Sequence, residues 1–242
     1  MVSRSAVLGF GAACLLALPA QAVTVGITTD ATVVDAGPVL VPPVTFEDMA
    51  DPGKGQPSVT ATWANNTSET LTWGLHSSPT CGGVVSNLFS LGGCGDTWDQ
   101  IWHLDNLNTT SLLTELVVDL TNTWFWFDRT PPDPEPYDPL ESDFVDEGTP
   151  RSQSGRDFEF VDADPSVTGD ISVEYSVIHG AQVGDAWRVM TVDFTGLTGG
   201  GVEGQLRFRQ DVDSVIPVPA ALPLLITGIG LLALFRRRRP TA

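Results

Sequence analysis

Basic residues are scarce in this 242-residue chain, where 12 Lys and Arg stand against 30 Asp and Glu. Five of the 12 lie near the ends, as Arg4 and Arg236 to Arg239. Residues 23–214 therefore carry 30 acidic and seven basic side chains, a net charge of −23. Such a field repels nucleic acid and anionic lipid, so neither is expected as a partner of this body. Divalent ions and neutral polysaccharide are left open, and solubility outside the cell is the plainest reading of the charge. Histidine is also rare, at His76, His103 and His179. No G-x-S-x-G elbow is present, and Ser152 and Ser154 have no histidine near them in sequence. No catalytic residue is assigned, and the chain reads as a non-enzyme. With 30 acids in one body, chance carboxylate pairs are certain, so a secreted hydrolase ranks only third among the readings.

Cysteine is limited to three residues, and Cys14 sits in a segment expected to be removed. Cys81 and Cys94 remain, at the two ends of a glycine-rich stretch that reads as a loop. An even pair in an oxidising compartment predicts a disulfide. Closing 14 residues would contribute about 3 kcal/mol through loop entropy. Zinc has no support, because no second C-x-x-C pair exists and the histidines stand at no zinc spacing.

Both ends have directional chemistry. Arg4, an apolar run from Ala6 to Leu18, and Pro19-Ala20-Gln21-Ala22 give the layout of a secretory signal helix over residues 1–22. The small residues Ala20 and Ala22 mark the cleavage site, so the mature chain is expected to begin near Val23 after passage through the secretion machinery and signal peptidase. At the other end, Ile216-Pro217-Val218-Pro219-Ala220 leads into an apolar run ending at Phe235, followed by Arg236, Arg237, Arg238 and Arg239. Residues 220–235 as a helix measure ~24 Å, short of a ~30 Å hydrocarbon core. Arginine excess marks the cytoplasmic side, so the four arginines stop transfer and the body lies outside.

This arrangement over residues 215–242 resembles the PEP-CTERM sorting signals of Gram-negative bacteria, in the variant with a Val-Pro-Leu-Pro-Ala core. Val218 stands where the parent form has glutamate. The resemblance implies recognition by an exosortase, a cut near Pro217, Val218, Pro219 and Ala220, and a passage from the inner membrane to the outer surface, often beside extracellular polysaccharide. A second, weaker resemblance within the same class covers about residues 110–242. Its segments are Phe127-Asp128-Arg129, Gly148-Thr149-Pro150-Arg151-Ser152 with Gly155-Arg156-Asp157-Phe158, and Phe208-Arg209-Gln210-Asp211-Val212-Asp213. Arg151 stands where the usual loop has glycine, and these proteins mostly lack an assigned activity, so no mechanism follows.

Between the ends, residues 23–214 are expected to form one domain. Apolar and polar residues alternate strictly in Ile171–Val177, and also in 205–209 and 157–160. Residues 59–63 and 70–73 read as strands joined at Asn65-Asn66-Thr67-Ser68, and 112–120 as a further strand. Thr123-Trp124-Phe125-Trp126-Phe127 is aromatic on both faces, which predicts a strand covered on both sides. Residues 130–155 read as a proline-rich acidic loop. The expected fold is all-β, an antiparallel β-sandwich of jelly-roll or immunoglobulin-like type, with a single C-terminal transmembrane helix over 220–235.

For cofactors the expectation is none, with calcium the most plausible ion. Asp162, Asp164 and Asp170 are the weak candidates, read as hard oxygens on a loop, and Asp211 with Asp213 could serve likewise. Seven tryptophans, Trp63, Trp73, Trp98, Trp102, Trp124, Trp126 and Trp187, keep a carbohydrate-binding module as the alternative to a structural or adhesive surface protein. Two or more exposed, coplanar indoles on one face would favour it.

Overall fold

The computed structural model describes residues 23–29, 40–41, 44–76, 78–129, 155–163, 167–176 and 186–215. Sixteen strands follow in chain order. They are β1 (Val23–Thr29), β2 (Leu40–Val41), β3 (Ser58–Trp63), β4 (Ser68–Thr72), β5 (Gly74–His76), β6 (Ser78–Val85), β7 (Phe89–Cys94) and β8 (Trp102–Asn106). The second half adds β9 (Leu113–Asp119), β10 (Phe125–Asp128), β11 (Glu159–Ala163), β12 (Gly169–Ser176), β13 (Ala186–Trp187), β14 (Val189–Asp193), β15 (Gln205–Arg209) and β16 (Val212–Val215). Two short 3₁₀ turns, Asp48–Ala50 and Pro52–Lys54, precede β3.

Two six-stranded sheets, ordered β1-β12-β14-β9-β3-β4 and β11-β15-β8-β7-β6-β5, carry the core between them. A four-stranded sheet, β13-β10-β16-β2, joins the same core. Alternation explains the layering. In β3 the residues Val59, Ala61 and Trp63 are buried while Ser58, Thr60 and Thr62 are not, and β12 and β14 repeat the pattern. Trp63 of β3 meets Phe89 of β7 edge-to-face at 6.0 Å, which ties one large sheet to the other. An aromatic chain continues inside, with Phe158 on Phe208 at 4.7 Å, Phe208 on Trp102 at 5.7 Å, and Trp102 against Phe46 at 5.0 Å. Each such side chain contributes about 1.5–3 kcal/mol by leaving water.

The expected sandwich is therefore present, as are the strands at 59–63, 70–73, 112–120, 157–160, 171–177 and 205–209, with small shifts of boundary. The turn between β3 and β4 uses Asn66 at φ 60°, a left-handed position that asparagine tolerates. Pairing is antiparallel except for β1, which lies parallel to β12. Asn106 N donates to Gly204 O, and Leu113 N donates to Val202 O. The crossover from β8 to β9 thus lies beside the one from β14 to β15.

One reading is corrected. The glycine-rich stretch between the cysteines is a hairpin, β6 paired with β7, with Cys81 directly opposite Cys94. Its glycines answer to close packing. A Cβ on Gly82 would lie 1.8 Å from the Phe46 carbonyl oxygen, and one on Gly93 would lie 2.4 Å from the Phe46 ring. The signal helix (1–22), most of the acidic loop (130–155) and the sorting segment with its helix (215–242) lie outside the described residues, apart from Gly155 and Val215. Among the described residues no helix is long and apolar enough to cross a membrane.

Candidate functional site

Three segments distant in sequence meet at one end of the four-stranded sheet. Trp126 of β10 pairs with Asp213 of β16, and Asp128 N donates to Asp211 O at 3.3 Å. Two-residue alternation puts Phe125, Phe127 and Val212 on the core face, and Trp126, Asp128, Asp211 and Asp213 on the other. The third segment includes Gly155 and Arg156. Arg156 N donates to Asp128 O at 3.1 Å, and Asp211 N donates to Arg156 O at 3.5 Å. A Cβ on Gly155 would lie 2.4 Å from the Arg129 carbonyl carbon, so only glycine fits this approach.

Gln210 stitches the junction. Its amide nitrogen donates to Arg156 O and to Asp211 O, each at 3.0 Å, while its side-chain oxygen accepts from the Tyr175 hydroxyl. That hydroxyl in turn accepts from Phe158 N at 3.1 Å. Burial drives the Tyr175 phenol far above its usual range and keeps it a neutral donor. Arg129 binds Asp157 through two nitrogens, at 2.8 and 3.3 Å, with its guanidinium 4.7 Å over the Tyr175 ring. Of the segments quoted for the weaker resemblance, 127–129, 155–158 and 208–213 thus form one spatial unit, and 148–152 lies outside the described residues.

At its centre Asp128, Asp211 and Asp213 are all buried, and one carboxylate oxygen from each lies within 4.8 Å of the other two. Burial, and then the negative charge of Asp213, push the Asp211 carboxyl well above the usual range. Such a triad can hold protons, or it can hold a hard divalent cation. Oxygens on opposite sides of a calcium ion, each at about 2.4 Å, stand about 4.8 Å apart. The pair Asp211 and Asp213 was legible as candidate ligands. Asp128 was not, although Trp126-x-Asp128 has the same two-residue spacing that sets side chains on one face.

The other candidates do not gather. Asp162 and Ala163 end β11 rather than lying on a loop, Asp170 is exposed on β12 in the other large sheet, and Asp164 lies outside the described residues. Cys81 and Cys94 form the expected disulfide. Ala20, Ala22, residues 217–220 and the four arginines lie outside the described residues. Five of the seven indoles are buried, Trp98 is half-buried beneath the Arg156 guanidinium, and Trp124 is 46% exposed. No pair of exposed indoles forms among the described residues. The aromatic strand is covered on both faces from Phe125 to Asp128.

These features define an all-β, disulfide-linked sandwich with a buried acidic junction. Comparison with protein-family models, curated proteins and solved structures finds no match to this chain.

Proposed function

We propose that this chain is an exported protein of a Gram-negative cell surface, sorted by an exosortase through its C-terminal tail and serving a structural or adhesive role in the envelope or biofilm matrix. The observation that carries the reading is the tail itself, with prolines at 217 and 219, an apolar run too short for a comfortable anchor, and four consecutive arginines. The Cys81–Cys94 disulfide supports export, because such bonds persist in oxidising compartments. Burial of most indoles favours a structural body over a stacking platform for sugars. The adjacent crossovers support a jelly-roll type of winding.

Intact-mass spectrometry of the protein isolated from its host tests the route. The expected species begins near Val23 and ends near the 217–220 motif. A mature protein that still carries Arg236 to Arg239 overturns sorting and leaves a tethered extracellular domain.

A further inference from the structure

We infer that the outer face of the first large sheet carries a binding groove for a neutral polyhydroxyl ligand, an oligosaccharide, over β1, β12 and β14. The groove's volume of about 480 Å³ falls inside the roughly 300–1,000 Å³ range of small-molecule sites. It is lined by Thr24, Gly26, Asp170, Ser172, Asp193 and Thr195.

The register explains the hollow. Gly26, Ser172 and Asp193 are cross-strand neighbours in one row, and Thr24 with Asp170 forms the next. Gly26 is exposed, and a Cβ there would meet nothing closer than the Ile171 carbonyl oxygen at 4.0 Å. A strand position without a side chain, flanked by rows that have them, leaves a trough. Its walls offer three hydroxyls and two carboxylates. Asp193 Oδ1 already accepts from Thr195 N at 2.7 Å, which fixes that carboxylate and leaves its second oxygen for a ligand. Asp170 is exposed beside it. Carboxylates accept hydrogen bonds from paired sugar hydroxyls, and Ser and Thr both donate and accept. The body's charge of −23 selects against uronic or sulfated chains and leaves neutral ones. With no aromatic among the described lining residues, affinity rests on polar contacts, so weak binding is expected.

This ligand goes beyond the sorting route and stands without it, since the test uses the full chain purified in mild detergent, whatever its processing. Amide NMR shifts are followed while neutral maltohexaose or cellohexaose is titrated to millimolar concentration. Saturable shifts at Thr24, Ser172 and Thr195 are expected from at least one glucan. Gly26→Val, a good strand residue aimed into open space, should keep the melting temperature and reduce binding at least tenfold. Asp170→Asn is a second reading at an exposed position and should weaken binding severalfold. Absence of shifts with both glucans overturns the assignment. Binding that survives Gly26→Val overturns it too, as does tighter binding of an acidic oligogalacturonate.

Discussion

Asn106 has every hydrogen-bonding position of its amide in use. Its oxygen accepts from Trp63 Nε1 and from Asn108 N, each at 3.1 Å. Its nitrogen donates to Val202 O at 2.7 Å and to Ser111 O at 3.1 Å. The residue thereby holds a core indole and both crossovers at once, where the chain passes from sheet to sheet. Asp at this position keeps the shape but cannot donate, so a buried carboxylate would face two carbonyl oxygens. Asn106→Asp is expected to cost about 3 kcal/mol or more in urea unfolding at neutral pH, because a buried polar group left unmatched loses its full solvation. A loss below about 1 kcal/mol would show that this amide is not the pin described. Arg188 acts similarly where the chain passes from β9 to β10. One guanidinium nitrogen donates to the carbonyls of Leu120, Thr123 and Phe125 at 2.6–3.0 Å, and the group lies 3.6 Å over the Trp126 ring. Arg188→Met retains the stem and removes the donors, and is expected to lower stability by about 2 kcal/mol, read by the same unfolding curve.

Elements differ in how far they could be read before the structure. β3, β12 and β15 announce themselves by alternation, because one face of each is core and the other is solvent. The β6–β7 hairpin does not, since Gly82 and Gly93 take their identity from Phe46, a residue more than thirty positions upstream. Period-two patterning is local and cannot carry that information. The same limit hid the parallel docking of β1, which depends on β12, and the union of Asp128 with Asp211, which depends on the pairing of β10 with β16 more than eighty residues on. The disulfide was legible because the pair Cys81 and Cys94 is left once Cys14 is set aside, and an expected export route makes such a pair a bridge. Its weight can be tested at this level. Cys81 and Cys94 are register partners inside a hairpin that neighbouring strands also hold. The double variant Cys81→Ala, Cys94→Ala is therefore expected to fold, with about 2–3 kcal/mol less stability. A variant that loses its far-ultraviolet β signal at room temperature would place the bond among the conditions for folding instead.

For the molecule as a whole, charge sets an unusual response to acid. Asp211 has a folded-state pKa above its unfolded one, owing first to burial and then to Asp213. The stability tied to its protonated form is complete at low pH and is lost as pH rises through the folded value. The self-repulsion of a body with a net charge of −23 works in the same direction, since it also grows as carboxylates ionise. Asp48 opposes them. Burial raises its pKa, but hydrogen bonds from Lys54 and Thr45 outweigh that and leave it lowered, so its contribution fades only as pH falls through a value below the usual range. The melting temperature in chelator-containing buffer should therefore climb as pH drops from about 8 to about 5, and decline only below about 4. Asp211→Asn removes the buried charge while keeping the shape. It should raise the melting temperature at the alkaline end and flatten part of the climb, leaving the share due to global repulsion, which added salt removes separately because screening acts on exposed charges and hardly on buried ones. A wild-type curve that falls steadily from neutral to pH 5 would mean that Asp211 takes up no extra proton on folding, which overturns a folded-state pKa raised by burial and by Asp213.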